Sequence, residues 1–357
     1  MTTPVAPLPL NTPHRFYRGG ERILAFRGLP VPDDFDGHRP EDWLGSTTHL
    51  FAEGGDGVTH LTDGADLPST LANDPHGWLG DAHVARHGVE PGLLTKLLDS
   101  GERLPVHSHP DRAFAARHLH CDHGKTEAWL ILDADPGATV WVGFRDGLEA
   151  EELAALVDAQ DERLLASLNP IRVSRGDAIL VPAGQPHAIG EGVLLVELQE
   201  PTDFSVMLEH DRFGLAEHDA FLGLARATAL ESVTREPLTT AGLAGLRRRW
   251  TDVRGAGAAL PADAEEFFRA EVVRPADGEA VALEQSFAVA VVVDGRGTLT
   301  TADASGSTLD IASGDVLLIP HGAGEVCIEG DVTVLRCMPP LERRSDPPMT
   351  DRESGPS

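Results

Sequence analysis

The chain has 357 residues, of which 37 are glycine and 26 are proline, a composition that favours many turns and short strands over long helices. Its formal net charge of −28 at pH 7 argues against nucleic acids and anionic membranes as partners. The length is sufficient for two domains with substantial cores.

The sequence shows no signal for export or membrane insertion. Its N-terminus has neither a basic start nor an apolar run, and no stretch of about eighteen apolar residues occurs. The three cysteines, Cys121, Cys327 and Cys337, have no CxxC spacing, which fits a reducing compartment. We expect a cytoplasmic protein that acts as a monomer or homodimer.

The first part of the chain predicts short strands interrupted by helical insertions. Residues 1–16 are rich in proline and predict an irregular arm, and residues 17–51 predict strands and loops. Further apolar runs predict strands at 127–132, 139–144, 171–173, 178–181, 193–199 and 204–209. Leucines and alanines at three- and four-residue spacing predict an amphipathic helix over 148–168, and helical turns are expected at 112–118 and 215–231.

The C-terminal third repeats the pattern of the first part. The segment GDVLLIPHG at 314–322 matches GDAILVPAG at 176–184, with the same glycines and proline. Such an internal duplication indicates two similar β domains. Their predicted bounds, with those of the flanking segments, are an N-terminal arm at 1–16, a first domain at 17–250, a Gly/Ala/Pro-rich linker at 251–262, a second domain at 260–341 and a disordered tail at 342–357.

Four residues of the first domain have the character and spacing of metal ligands. His107 and His109 are one residue apart, and alternate residues of a strand point to the same face. Glu127 opens the next apolar strand, and His187 follows a Pro-x-Gly turn. Three imidazoles and one carboxylate suit Zn²⁺ or a similar divalent ion, so we expect one zinc ion per chain.

The second domain lacks these ligands. Ala288 stands where Glu127 would be, and Glu325 stands where His187 would be. We therefore expect the second domain to be structural, as a wall or lid for the first.

Another His-x-His pair competes for the metal. His118 and His120 lie nearer to Glu127 in the sequence, but they follow a helical segment and precede a polar turn. His107 instead ends a predicted strand before a Pro-Asp stop. We assign the ligand role to His107 and His109 and interpret the other pair as solvated loop histidines.

The sequence segments around these residues resemble those of a known family. Residues 176–187 fit Gly-x5-Pro-x-Gly-x2-His, the second metal motif of the cupin superfamily. The segments LLTKLLDSGERLPVHSHPD, GKTEAWLIL, GDAILVPAGQPHAI and VELQEPTD resemble the class I mannose-6-phosphate isomerases over most of residues 17–215. The resemblance implies a mainly β fold of two cupin-type jelly-roll barrels, with helical insertions in the first. It also implies the conversion of mannose 6-phosphate to fructose 6-phosphate.

Residue by residue, the resemblance implies metal ligands at His107, His109, Glu127 and His187. It also places the family's active-site lysine at Lys125. The first ligand is usually glutamine in the family, so His107 gives this site a third imidazole. The family's acidic residue after the last metal strand falls on Glu197.

Two departures from the family pattern concern the substrate. The family's serine two positions before the first ligand is Pro105, and its arginine near the phosphate end of the sugar falls on Met207. Arg212 and His210, in the next turn, are the candidates to replace that arginine, although strand alternation would place Arg212 on the opposite face. The sequence therefore supports the isomerase chemistry better than the phosphate on its substrate.

Aldose–ketose isomerisation moves one proton between C1 and C2 through a cis-enediol. It needs an electrophile, which a bound metal ion supplies, and a base that reaches both carbons. Glu197 and Lys125 are the candidate bases, and Arg212 is a third catalytic candidate. Lys96 and Lys125, the chain's two lysines, are candidate substrate-binding cations. Glu197 is equally well interpreted as a carboxylate that orients a metal-bound histidine, and Lys96 as a salt-bridge partner.

Other functions stay open. The substrate is a small sugar or sugar phosphate, and isomerisation of an unphosphorylated sugar is one alternative. A cupin oxygenase is another, because three histidines and one glutamate also serve iron or manganese. The third is a sugar-binding protein without catalysis.

Overall fold

The computed structural model describes residues 4–51, 57–276, 279–302 and 306–340. Within these ranges the chain is mainly β, which confirms the predicted fold class. No helix in this part of the chain is both long and apolar enough to span a bilayer. The tail predicted at 342–357 lies outside the described residues.

Two antiparallel sheets form from the first part of the chain. The strands up to residue 249 are β1 Ala6–Pro7, β2 Glu41–Leu44, β3 Leu94–Asp99, β4 His107–Ser108, β5 Glu127–Ala134, β6 Thr139–Phe144, β7 Leu168–Arg172, β8 Asp177–Val181, β9 His187–Ile189, β10 Val193–Gln199, β11 Val206–Met207 and β12 Arg247–Arg249. The central sheet has the strand order β12-β8-β5-β10-β3-β2. The site sheet has the order β11-β4-β9-β6-β7.

A third antiparallel sheet, the C-terminal sheet, contains the rest of the strands. These are β13 Gly255–Ala258, β14 Arg269–Arg274, β15 Ala280–Leu283, β16 Ala288–Thr301, β17 Thr308–Ala312, β18 Val316–Ile319 and β19 Val326–Met338. Its main order is β1-β18-β16-β19-β14-β13, with β15 on β19 and β17 on β16.

Two predicted irregular segments contribute strands to the C-terminal sheet. The arm at 1–16 is not irregular throughout, because Ala6 pairs with Leu318 in β18. The linker at 251–262 is also partly wrong, because β13 lies within it and pairs with β14. Both errors arise because a proline- or glycine-rich segment becomes a strand when a sheet edge offers it backbone partners. The domain bounds themselves stay a prediction.

The helices are short and lie in the first part of the chain. They are α1 Glu21–Phe26, α2 Leu67–Asn73, α3 Pro75–Leu79, α4 Asp81–His87, α5 Arg112–His118, α6 Ala150–Ala159, α7 Glu162–Ala166, α8 Glu217–Ala220, α9 Arg226–Leu230 and α10 Thr240–Gly245. The helical segments predicted at 112–118, 148–168 and 215–231 are confirmed as α5, α6 with α7, and α8 with α9.

Local sequence explains where the predicted helices begin. The Asp111 carboxylate accepts a hydrogen bond from the Phe114 backbone N–H at 2.7 Å and caps α5. Glu149 and Glu152 form a capping box at the start of α6. Helix α1 was predicted as strand and loop, and it is held instead by the burial of Ile23 and Leu24.

The central sheet is buried on both faces. Along β5, Leu130 and Leu132 point outward and pack in the same core as residues of the C-terminal sheet. Trp129 and Ile131 point inward, toward the site sheet. Glu127 lies on this inward face, because side chains alternate along a strand. The C-terminal sheet thus covers the back of the strand that carries a predicted metal ligand.

The two duplicated segments, 176–184 and 314–322, adopt the same local structure. Gly176 and Gly314 have φ angles of +97° and +92°, in the region that favours glycine. The Asp177 carboxylate accepts from the Ser174 N–H at 2.8 Å, and the Asp315 carboxylate accepts from the Ala312 N–H at 2.7 Å. The repeat therefore preserves its turn geometry, although its ligands are absent.

We expect Gly314→Val to destabilise the protein. A Cβ atom at this position would lie 2.2 Å from the Phe26 backbone oxygen, and the positive φ disfavours a β-branched residue. The expected loss in the free energy of unfolding is about 2–4 kcal/mol, measured by denaturant titration.

Gly245→Val is the matched control, because a Cβ at Gly245 meets no atom and its φ is not positive. Equal losses of stability in both variants would contradict the role assigned to Gly314.

Candidate metal centre

Three buried imidazoles meet at one end of the site sheet. His107 in β4 pairs directly with His187 in β9, and His109 follows two residues later in the chain. Their ring centroids are 4.1 Å apart for His107 and His187, 4.8 Å for His109 and His187, and 5.0 Å for His107 and His109. One ligand nitrogen from each ring lies within 4.8 Å of the other two, so the group could bind a metal ion.

Backbone carbonyls orient all three rings. The Nδ1 atoms lie 2.9 Å, 2.7 Å and 2.8 Å from carbonyl oxygens of other residues, for His107, His109 and His187 respectively. A carbonyl oxygen only accepts hydrogen bonds, so Nδ1 carries the proton in each ring. The Nε2 lone pairs are then free to bind a cation, as in many metal sites.

The Glu127 carboxylate faces two of these lone pairs. Its Oε2 lies 2.9 Å from His109 Nε2, and its Oε1 lies 3.2 Å from His187 Nε2. Trp129 Nε1–H donates to Oε1 at 3.0 Å and fixes the carboxylate. Glu127 Oε2 and the two Nε2 atoms have no hydrogen-bond partner. Buried acceptors that face each other repel unless a cation lies between them, so these atoms fit a metal ion.

The pKa shifts agree with a cation site rather than a protonated cluster. Burial, together with the nearby Lys125 ammonium, lowers the pKa of His109 to about 3. Burial and the neighbouring imidazoles hold the pKa of His107 well below its usual range. Burial opposes ionisation of Glu127, but His109, His187 and Lys125 lower its pKa well below the usual range. His107 and His109 are therefore neutral, and Glu127 is ionised.

The competing histidine pair lies elsewhere. His118 ends α5, and its ring packs against Phe114 at a centroid distance of 4.6 Å. His120 has a φ of +55° in the following turn and is exposed. Neither belongs to the three-histidine group, the metal-type cluster found among the described residues.

Beside the histidines lies a narrow cleft, which we call the cleft from here on. The polar side chains that line it with His107 are Arg15, Tyr17, Glu41, Lys96, Lys125, Glu197 and Ser205. Lys125 Nζ lies 3.6 Å from Glu127 Oε2, and Lys96 Nζ lies 3.4 Å from Glu197 Oε2. The structure thus brings together the predicted ligands, both lysines and Glu197.

Arg212 is the exception. It lies in a short 3₁₀ turn at Asp211–Phe213, is exposed, and does not line the cleft. Its guanidinium carbon sits 5.7 Å from the centre of the Phe213 ring. Strand alternation does not extend from Met207 to Arg212, because β11 ends at Met207 and the chain leaves the sheet there. The catalytic assignment of Arg212 is therefore not supported.

Sequence reasoning missed Arg15, Tyr17 and Glu41. Arg15 lies in the predicted irregular arm, and Glu41 in the short strand β2, without a motif that marks either. Tyr17 O–H donates to the Glu41 carboxylate, as does Trp43 Nε1–H at 2.6 Å. The one available signal was the acidic start of an apolar strand, EDWL, where a buried carboxylate needs partners.

The chain is similar to known proteins in sequence and in fold. Residues 260–339 match the model of the mannose-6-phosphate isomerase cupin domain. A mannose-6-phosphate isomerase of Streptococcus mutans is 41% identical over 111 residues, which are 31% of this chain and 34% of that protein. This match thus spans about a third of the relative's length.

Two further matches cover most of the chain. YvyI, a candidate mannose-6-phosphate isomerase of Bacillus subtilis, is 28% identical over 279 residues, 75% of this chain and 84% of that protein. The crystal structure of the mannose 6-phosphate isomerase from Bacillus subtilis superposes with a TM-score of 0.72 at 22% identity, covering 94% of this chain and 99% of that one.

The sheets are consistent with a cupin fold, and the first part of the chain carries a three-histidine group that could bind a metal ion. The chain is similar in sequence and fold to mannose-6-phosphate isomerases.

We expect the purified protein to hold about one divalent ion per chain, and His187→Ala or Glu127→Ala to remove it, because each change takes away a donor. Metal content after dialysis, measured by plasma mass spectrometry, tests this. The double variant His118→Ala/His120→Ala is the control and should keep the metal. Loss of metal in the control, or retention in both ligand variants, would contradict the assignment.

Proposed function

We propose that the protein is a metal-dependent aldose–ketose isomerase that acts on a mannose-type sugar. The observation that carries the proposal is the convergence of three oriented imidazoles and Glu127 in a cleft that also contains Glu197 and Lys125. Similarity to mannose-6-phosphate isomerases supports the same reaction. We also infer a cytoplasmic location, which the three free cysteines support.

His107, His109, His187 and Glu127 would hold the ion. Three nitrogen donors and one oxygen donor are a common set for zinc, so we infer zinc as the resident metal. When bound, such an ion polarises a carbonyl or hydroxyl oxygen of the substrate as a Lewis acid.

Glu197 is the proposed base. It lies on β10 between Lys96 and Trp129, on the inward face of the central sheet. Burial and the charge of Glu127 raise the pKa of Glu197, although Lys96 and Lys125 oppose the shift. A carboxylate whose pKa is raised toward neutrality can both accept and return a proton.

The proton moves between adjacent carbons. Glu197 takes the proton from C2 of the open-chain aldose, and the released electron pair forms the C1=C2 bond of a cis-enediolate with the negative charge on O1. The hydroxyl proton on O2 then moves to O1, the same carboxyl group returns its proton to C1, and the oxygen on C2 becomes the carbonyl of the ketose. Lys125, buried beside Glu127, is proposed to donate a hydrogen bond to a substrate oxygen.

The remaining alternatives are an oxygenase and a sugar-binding protein without catalysis. The same four metal donors would suit iron in an oxygenase. A buried carboxylate and two lysines next to the ligands are suited to proton transfer on a polar substrate. We therefore favour isomerisation.

We expect Glu197→Gln to lower kcat about 10²- to 10⁴-fold, because the amide cannot accept the substrate proton. Metal content should stay unchanged, which separates this effect from loss of the ion. Turnover of mannose and mannose 6-phosphate in D₂O, followed by NMR, measures both the rate and solvent deuterium entering the product.

Glu191→Gln is the matched control, since Glu191 is exposed and lies outside the cleft. Unchanged kcat in Glu197→Gln would rule out Glu197 as the base, and absence of turnover by the native metal-loaded protein on both sugars would contradict isomerisation.

A further inference from the structure

We propose that the cleft is built for an uncharged sugar and disfavours a sugar phosphate. This inference rests on the proposed isomerase function and specifies its substrate class. It is carried by the pairing of Arg15 and Lys96, the cationic side chains of the cleft that face no proposed metal ligand, with buried carboxylates.

Arg15 is paired with two carboxylates. Its Nη1 lies 3.2 Å from Asp203 Oδ2, and its Nη2 donates to Asp203 Oδ1 at 3.4 Å. Its Nε lies 3.5 Å from Glu41 Oε1. The Arg15 side chain is 15% exposed, and those of Asp203 and Glu41 are 6% and 4% exposed. The guanidinium is therefore already engaged within the protein.

Lys96 is paired in the same way. Its Nζ lies 3.5 Å from Glu41 Oε2 and 3.4 Å from Glu197 Oε2, and it sits 4.7 Å from the centre of the Trp43 ring. Glu41 thus bridges Arg15 and Lys96, and Lys96 bridges Glu41 and Glu197. Lys125 faces the Glu127 carboxylate at 3.6 Å.

The charges around Arg15 and Lys96 are balanced without a substrate anion. These two cations face three carboxylates, Glu41, Glu197 and Asp203, whereas Lys125 faces Glu127, a proposed metal ligand. A phosphate dianion could bind Arg15 or Lys96 only by drawing that cation away from its partner. That would leave a buried carboxylate unpaired, which is strongly unfavourable.

The neighbouring wall offers no substitute cation. Met207 pairs with His107 across β4 and β11, and Pro105 lies two residues before His107. Both line the cleft, and neither side chain can donate a hydrogen bond. Phosphate is usually recognised by arginine forks, lysines or backbone N–H groups that are free to bind it.

The same cleft suits hydroxyl groups. A hydroxyl both donates and accepts, so it can bind a carboxylate oxygen and a neighbouring N–H without disturbing an ion pair. Arg15 Nε is buried without a hydrogen-bond partner, and Ser205 Oγ also lines the cleft. The Glu41 carboxylate beside Arg15 is held in place by Tyr17 and Trp43.

The test compares D-mannose with D-mannose 6-phosphate on the full-length, zinc-loaded protein, by steady-state turnover and by calorimetric binding. We expect kcat/KM and affinity both to favour mannose by about tenfold or more. Asp203→Asn removes the carboxylate that faces Arg15 Nη1 and Nη2. The mannose to mannose 6-phosphate ratios, of kcat/KM and of affinity, should therefore both shift toward the phosphate by about tenfold. Asp133→Asn, at an exposed position outside the cleft, removes the same charge and should leave both ratios unchanged.

The possible outcomes test the substrate preference and the isomerase function separately. A native preference for mannose 6-phosphate, in binding or in kcat/KM, overturns the inference, as does a ratio that Asp203→Asn fails to move. Tighter binding of mannose with no turnover of either sugar keeps the inference and rejects the isomerase. Binding of neither sugar rejects both.

Discussion

The site depends on a set of buried acceptors that point at one another. Backbone carbonyls hold the Nδ1 protons of His107, His109 and His187, so their Nε2 lone pairs converge on one point. The Glu127 carboxylate reaches the same region and stays ionised. Such a group is unfavourable in a dry interior unless a cation neutralises it. A bound cation would therefore stabilise this arrangement.

The sheets provide the rigidity that this arrangement needs. His107 and His187 are direct partners across β4 and β9, so backbone hydrogen bonding sets their separation. Glu127 is on the inward face of a strand whose outward face packs in a core shared with the C-terminal sheet. Among its described residues, the second half of the chain contributes none of the proposed ligands, and it supports the strand that carries Glu127.

Sequence patterns predicted the site residues that lie in short, local motifs. A His-x-His pair, a glutamate at a strand start and a histidine after a Pro-x-Gly turn are local features, and the structure brings all four residues together. Arg15, Glu41 and Asp203 could not be found this way, because their pairing is purely tertiary. Arg15 and Asp203 are 188 residues apart. The position of Arg212 outside the cleft could not be predicted for a related reason, since where strand β11 ends depends on its neighbours.

X-ray absorption at the metal edge tests the convergence of the ligands most directly. For the zinc-loaded native protein, we expect nitrogen and oxygen scatterers at about 2.0–2.1 Å, with outer-shell scattering from three imidazoles. Sulfur scattering at about 2.3 Å, or fewer than three imidazoles in the native protein, would contradict the proposed centre.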